Sequence, residues 1–265
     1  MNGRRPGGLI IAVSMFSVVP VPAGLLGSDP LDRADTAATV RWLPVIGGVL
    51  GGLAGLLGTA VLYRNESSGL LSAAIAVACL ASLTGGLLLD GLADTTDGLG
   101  SRAPAERALD IMRRGDIGPF GVVAVVLLLM LDVCALAAAS AEGSPWRLCA
   151  ALVVAAATGR VAGVHAALPW VPAARSSGFG TMVAGTVGPI TAAIVSVAVL
   201  AVGGVLAMAT GANPAGWVVT QLIALALVWS LRRALTRRLG GITGDVFGAL
   251  IEASTMLVLI GLAVL

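Results

Sequence analysis

The chain has 265 residues, of which 57% are hydrophobic and only 11% are charged, and its formal net charge is +2. A soluble domain carries about a quarter charged residues, so this chain lacks the polar side chains that would cover a water-soluble globule. We therefore interpret residues 1–265 as a single integral membrane domain. No basic patch is interleaved with aromatic residues, which argues against a nucleic-acid partner.

Apolar runs bounded by charged residues or by Gly and Pro predict an all-α, polytopic membrane protein embedded in the lipid bilayer by about seven transmembrane helices. The first apolar stretch, 8–26, contains Pro20 and Pro22, which a regular helix does not tolerate. We interpret it as a Pro-broken, re-entrant N-terminal segment. The seven predicted spans that follow are 43–63, 69–89, 118–139, 148–168, 181–209, 217–231 and 247–265.

Two loops of this arrangement are rich in arginine and are separated by four predicted spans, so they fall on the same side of the membrane. Arginine-rich short loops are typical of the cytoplasmic side, and we expect both loops to face the cytoplasm. Arg4 and Arg5 favour the same side, which supports the re-entrant interpretation. The loop arginines are Arg102, Arg107, Arg113 and Arg114 in the first loop and Arg232, Arg233, Arg237 and Arg238 in the second.

The stretch "LLLDGLADTTDGLG" places three acids at the end of an apolar run. Asp90, Asp94 and Asp97 are spaced i, i+4 and i+7, which puts three carboxylates on one face of a helix. Like charges so close destabilise a helix, and acids beside hydrocarbon are functional by default. The charge is compensated either by the nearby arginines or by a divalent metal such as Mg²⁺, which binds one or two carboxylates together with substrate phosphates.

Other polar residues interrupt apolar runs further along the chain. Asp245 and Glu252 are seven residues apart at the start of the last predicted span; a helix cap would explain Asp245 but not the deeper Glu252. Arg160 lies in the middle of a span and needs an anionic partner or a wet cavity. His165 is the single histidine, and we interpret it as a packing residue, as we interpret Asp132 as structural.

Four blocks of the sequence resemble the cobalamin synthase family, the adenosylcobinamide-GDP ribazoletransferases. They are "VPVP" at 19–22, "GGLLLDGLADTTDGLGS" with "ERALDIMRRGDIGPFGV" within 85–122, "AARSSGFG" at 173–180 and "RRLGGITGDVFGALIEAS" at 237–254. The blocks occur in order across nearly the whole chain, and the second and fourth are long and specific.

The resemblance implies a Mg²⁺-dependent, multi-pass enzyme of the cell (inner) membrane with an active site at the cytoplasmic face, around 90–116 and 237–254. Such an enzyme joins adenosylcobinamide-GDP to α-ribazole or its 5′-phosphate, releases GMP and completes a cobalamin. Carried onto this chain, it makes Asp94 and Asp97 metal ligands and Asp90 a third ligand or the catalytic base. The residues then expected to bind substrate are Arg102, Arg107, Arg113, Arg175, Asp245 and Glu252.

The chain departs from the family pattern at one place. Where the family reads "IMKDSRIG", this chain reads "IMRRGDIG". Arg114 therefore stands in place of an Asp and Asp116 in place of an Arg, so we carry no metal role to position 114.

Two other functions stay open from the sequence. "DTTDGLGSR" at 94–102 also resembles the D-x-x-D-G-x-x-A-R motif of the CDP-alcohol phosphotransferases of phospholipid synthesis, but its Arg comes one residue late. A membrane transporter would use the acids as an ion path, although they crowd a helix end and no inverted repeat is visible. The oligomeric state, including a homo-oligomer, is also left open.

Overall fold

The computed structural model describes residues 7–26, 31–141 and 143–264; Arg4 and Arg5 lie outside the described residues. Within these ranges the chain is α-helical, without a β-strand. The α-helices are, in chain order, α1 (Gly8–Phe16), α2 (Ala23–Leu26), α3 (Arg33–Arg64), α4 (Gly69–Leu83), α5 (Leu87–Gly100), α6 (Ala105–Met112), α7 (Pro119–Ala139), α8 (Trp146–Ala166), α9 (Phe179–Val183), α10 (Pro189–Ala209), α11 (Pro214–Leu239) and α12 (Gly244–Val264).

Six of these helices, α3, α7, α8, α10, α11 and α12, are long and apolar enough to span a membrane, and a seventh span results if α4 and α5 are counted together. The prediction of an all-α polytopic membrane protein is therefore confirmed. The first apolar stretch is broken, as predicted, into α1 and the short α2. With nine residues, α1 is about 14 Å long, which is too short to cross the hydrocarbon; its re-entrant course stays a prediction.

The predicted span 69–89 is wrong as a single helix. α4 ends at Leu83, and α5 leaves it at an angle of 88°. The turn uses Gly85 and Gly86, whose φ angles are +63° and +70°, a conformation that glycine adopts without a Cβ penalty. The three acids of the sequence motif therefore lie on a separate helix that runs nearly perpendicular to α4.

Two further boundaries differ from the prediction. The run 181–209 is divided, because α9 ends at Val183 and α10 begins only at Pro189. The run 217–231 is part of the longer α11, which begins after the capping side chain of Asn213 and ends at Leu239, before Gly240 with its φ of +82°. Its last turns carry the arginines of the predicted second loop, because a charged helix end extends beyond its apolar segment.

Glycines let α3 approach α8 closely. A Cβ at Gly47 would lie 2.5 Å from the carbonyl oxygen of Ala156, and one at Gly51 would lie 2.7 Å from that of Leu152. Gly55 meets Cys149 in the same way, at 2.7 Å from its Cα. Small residues four apart allow such backbone contact between membrane helices. The stretch "GGVLGGLAGLLG" at 47–58 therefore packs α3 against α8, and α8 is the most buried of the spanning helices.

The segments before α9 and α12 are held together at one end of the helix bundle. The backbone N–H of Ala174 donates to Ile242 O at 2.9 Å, and the N–H of Ile242 donates to Pro172 O at 2.9 Å. This isolated parallel bridge joins the "AARSSGFG" segment to the start of the "GGITGDVFGALIE" segment. Two sequence motifs that are about 65 residues apart therefore meet at the end of the bundle where α5 also lies.

Candidate active site

The acidic helix α5 crosses the first turns of α12 at almost backbone-to-backbone distance. A Cβ added at Gly91 would lie 2.8 Å from Asp245 O and 3.1 Å from Asp245 Cα. On the α12 side, a Cβ added at Gly248 would lie 3.2 Å from Leu88 O. Only glycine permits this contact, and it brings the acids of α5 beside Asp245.

A cavity of about 370 Å³ opens at this crossing. Asp90 and Asp245 supply its carboxylates, and much of the rest of its wall is apolar and aromatic. The rings of Phe16 and Phe179 lie 5.7 Å apart, and those of Phe179 and Phe247 lie 5.3 Å apart, both edge to face. The cavity therefore combines a large apolar surface with a few acidic groups, as ligand sites commonly do.

The acids at the cavity form a cluster of excess negative charge. The charges of Asp90, Asp245 and Asp97 all repel charge on the half-buried Asp94, whereas Arg175 attracts it. Of the charges that act on Asp94, three are therefore negative and one is positive. The acids of α5 and Asp245 therefore act on one another electrostatically, and the arginine beside them compensates only part of their charge.

Arg175 is the basic side chain that reaches this cluster. Its Nη1 lies 3.8 Å from Asp245 Oδ2, and its Nη2 donates to the carbonyl oxygen of Leu109 at 2.6 Å. Its Nε is buried and has no hydrogen-bond partner among the described residues. The Thr243 hydroxyl donates to Asp245 Oδ2 at 3.1 Å and accepts from the N–H of Val246 at 3.1 Å. The side chain that caps α12 is therefore Thr243, and Asp245 is directed to the cavity.

Asp97 has a different environment from the other two acids of α5. Its two carboxylate oxygens accept the backbone N–H groups of Gly118, at 2.6 Å, and Gly121, at 2.9 Å. These are free N–H groups at the start of α7, where Pro119 is the first helical residue. Asp97 is 8% exposed and acts as a distant N-cap that fixes α5 to α7. Its role as a metal ligand stays a prediction.

The arginines of the α5–α6 segment lie away from the cavity wall. Arg102, Arg107 and Arg113 are all exposed, and none of them lines the cavity. Arg102 has a φ of +54°, which is uncommon for a residue with a side chain. Arg238, at the end of α11, donates to the carbonyl oxygen of Ala103 and holds this segment against the bundle. Substrate binding by the three exposed arginines stays a prediction.

Glu252 lies two turns further along α12, in a second, smaller cavity of about 20 Å³ that it shares with Asp132. Its charge attracts that of the buried Arg160 of α8, whose Nη1 donates to the carbonyl oxygen of Ala156 at 3.2 Å. Asp132 and Glu252 repel each other, and Asp132 Oδ1 has no hydrogen-bond partner among the described residues. Glu252 thus lies outside the wall of the cavity at the α5–α12 crossing, and its assignment to substrate binding stays a prediction.

The aromatic wall and Thr243 are the parts of this site that sequence reasoning missed. Three of the four phenylalanines in the chain, Phe16, Phe179 and Phe247, meet at the cavity. A signal was available, since Phe179 and Phe247 are inside the two sequence blocks that contain Arg175 and Asp245. Phe16 carries no such signal, because it comes from the broken N-terminal segment.

The acids at the crossing suit a metal ion that needs few protein ligands. Among the described residues, no three His, Cys, Asp or Glu side chains lie close enough to hold one ion. A metal would then be held by two carboxylates at most, with water and phosphate oxygens in its other positions. This is the arrangement that Mg²⁺ favours, and the excess negative charge around Asp94 also fits a divalent cation.

Comparisons with known proteins agree over nearly the whole chain. Residues 8–263 match the family model described as cobalamin-5-phosphate synthase. An adenosylcobinamide-GDP ribazoletransferase of Frankia casuarinae is 40% identical, with 94% of this chain and 92% of the relative covered. The proteins of the same name from a Roseiflexus species and from Bradyrhizobium diazoefficiens are 37% identical (94% and 86% covered) and 35% identical (95% and 91% covered). No solved structure matches the chain significantly.

Proposed function

The chain belongs to the cobalamin-5-phosphate synthase family, and on this premise we propose that it is an adenosylcobinamide-GDP ribazoletransferase. The substrates are adenosylcobinamide-GDP and α-ribazole or its 5′-phosphate, and the products are the corresponding cobalamin and GMP. The observation that carries the proposal is one aromatic-walled cavity whose acids, Asp90 and Asp245, form a charge cluster with Asp94 and Arg175 beside it. The family match favours neither the CDP-alcohol phosphotransferase nor the transporter.

The reaction is a substitution at phosphorus. A ribose hydroxyl of the ribazole attacks the diphosphate phosphorus that carries the cobinamide, a new P–O bond forms, and the P–O bond to GMP breaks. Asp90 lines the cavity and is exposed to it, so in our proposal its carboxylate takes the proton from the attacking hydroxyl. Arg175 offers its unpartnered Nε to the diphosphate, because a guanidinium donates well to phosphate oxygens.

In this proposal Asp94, one turn after the base Asp90 on α5, would hold Mg²⁺, while Asp245 orients Arg175. Mg²⁺, when bound, neutralises phosphate charge and the charge that develops on the leaving group. Asp97 keeps α5 fixed to α7, so that the two acids stay at the crossing with α12. We further propose that this end of the bundle faces the cytoplasm, because the arginine-rich segments gather there.

The experiment is a product assay on the full chain purified in detergent with Mg²⁺. Adenosylcobinamide-GDP and α-ribazole 5′-phosphate are supplied in one reaction, and CDP-diacylglycerol with an alcohol acceptor in another. We expect cobalamin phosphate and GMP in equal amounts from the first reaction and no CMP from the second. A folded, monodisperse protein that yields no GMP would contradict the proposal, and CMP release would favour the CDP-alcohol phosphotransferase.

A further inference from the structure

A second large cavity, of about 390 Å³, lies at the same end of the bundle but shares no lining residue with the cavity at the α5–α12 crossing. It is bounded by the last turns of α11 and by Trp170, which follows the end of α8. We call it the arginine–tryptophan cavity. Its lining residues are Trp170, Trp229, Arg232, Arg233, Thr236 and Arg237.

The charge of this cavity is positive and is not compensated by the protein. It is lined by three arginines and by no acid, and no ion pair joins these arginines to a carboxylate in the described part of the chain. Arg232 is only 4% exposed, and its Nε is buried without a hydrogen-bond partner there. The hydroxyl of Thr236 is buried and unpartnered in the same way. Both groups can donate to an oxygen anion, and a buried donor without an acceptor is costly.

The surroundings of the cavity are those of a membrane interface. Trp170 is 61% exposed and Trp229 is 42% exposed, and exposed tryptophans are typical of the headgroup level of a bilayer. The guanidinium of Arg233 lies 4.5 Å from the ring centroid of Trp229, so the ring and the charge form one surface. An exposed apolar face of α11 leads away from the cavity along the helix. It includes Leu222, two turns before Trp229 on the same face, and Val219.

These observations favour a ligand with an anionic phosphate at one end and apolar chains at the other. A free phosphate would use the arginines but would leave the apolar face of α11 without a role. Basic pockets between membrane helices bind anionic lipid headgroups in this way. We propose that the arginine–tryptophan cavity binds the phosphodiester headgroup of an anionic phospholipid, whose acyl chains lie along α11.

The test uses the full chain in phosphatidylcholine vesicles that contain a minor fraction of a lipid brominated on its acyl chains near the headgroup. The brominated lipid is phosphatidylglycerol in one sample and phosphatidylcholine in the other, and the quenching of tryptophan fluorescence is compared. We expect stronger quenching by the phosphatidylglycerol, because it concentrates beside Trp229 and Trp170.

The variant R233Q/R237Q removes two exposed arginines of the cavity and leaves the buried Arg232 in place. The control variant R41Q/R114Q removes two exposed arginines from elsewhere at the same end of the bundle. We expect the preference for phosphatidylglycerol to fall roughly 30-fold in the first variant and to be unchanged in the control. Thermal unfolding in detergent checks that both variants are folded.

Three outcomes would overturn the proposal. Equal quenching by the two lipids in the unmodified protein would show that no anionic lipid is selected. An equal loss of preference in the two variants would show only a general attraction to positive charge. Displacement of the lipid by GMP or inorganic phosphate, beyond the effect of chloride at the same ionic strength, would assign the cavity to a free phosphate.

Discussion

The crossing of α5 and α12 makes a quantitative prediction for the substitution Gly91→Ala. The added Cβ would lie 2.8 Å from Asp245 O, 3.1 Å from Asp245 Cα and 3.3 Å from Asp245 C. Ordinary van der Waals contact begins at 3.4 Å, and all three atoms belong to helix backbone. Neither a side-chain rotation nor a local adjustment relieves the overlap, so α5 and α12 must separate by about half an ångström.

The separation affects activity more than stability. Overpacking of this kind costs about 1–3 kcal/mol of unfolding free energy. The same movement withdraws Asp90 and Asp94 from Asp245, and a displacement of about 1 Å at a reacting centre can reduce the rate roughly 100-fold. We therefore expect Gly91→Ala to lower the rate of GMP release at least about tenfold, with a small decrease in the melting temperature.

The assay compares Gly91→Ala with Gly48→Ala in the same detergent, by GMP release at saturating substrates and by thermal unfolding. A Cβ at Gly48 meets no atom closer than 3.8 Å, so this control changes the same residue type without overlap. Gly48→Ala should keep full activity and gain up to about 1 kcal/mol in stability. If Gly91→Ala is as active as Gly48→Ala, the close approach of α5 to Asp245 is refuted as the basis of the site.

Four other substitutions give independent checks. Asp97→Asn replaces one of two acceptors for the free N–H groups of α7 by a donor, and thermal unfolding should show a loss of about 1–2 kcal/mol; an unchanged melting temperature would contradict the capping role. Arg175→Lys removes the fork that reaches Asp245 and the carbonyl oxygen of Leu109 together, so kcat/KM should fall at least about tenfold, and full activity would exclude Arg175 from phosphate binding. Arg160→Met leaves Glu252 without the positive charge that attracts it and should cost about 3–5 kcal/mol, whereas Asp132→Asn relieves repulsion and should be neutral or stabilising. If denaturation showed Asp132→Asn to be the less stable of the two variants, this assignment would be refuted.

The acids of α5 illustrate what the sequence could predict about the site. The spacing of Asp90, Asp94 and Asp97 predicts a helix, and the structure has one. The same spacing does not distinguish a carboxylate directed to the cavity from one that caps another helix. The partners of Asp97 are the N–H groups of Gly118 and Gly121, more than 20 residues away, and backbone donors leave no trace in a sequence pattern.

The boundary of the fourth helix shows a different limit. Residues 69–89 are apolar throughout, so hydropathy predicts one span across the whole run. The bend depends on the positive φ of Gly85 and Gly86. The chain has 36 glycines, and many of them serve close helix packing instead of a turn. Composition alone cannot identify which glycine pair turns the backbone, and the perpendicular direction of α5 follows from its packing on α12 and α7.

The sequence predicts that Arg160 needs an anionic partner, but it does not identify which acid that partner is. A buried arginine in a span requires an anion, and the sequence offered several acids at similar depth. Helix packing makes the choice, because α8 lies against α12 and brings Arg160 to Glu252. The same packing places Glu252 away from Asp245, although the two residues share a helix and a sequence motif.

The central claim is that Asp94 belongs to the centre that transfers ribazole, and its most direct test is GMP release by Asp94→Asn as a function of Mg²⁺ concentration. The exposed Asp110 of α6 provides the matched control Asp110→Asn, with the same change of charge at a residue that is not part of the charge cluster around Asp94. Our account predicts that Asp94→Asn, although folded, loses at least about 100-fold in rate at all Mg²⁺ concentrations, and that Asp110→Asn has the Mg²⁺ dependence of the unmodified protein. Equal activity of the two variants would contradict the account and would locate the metal elsewhere.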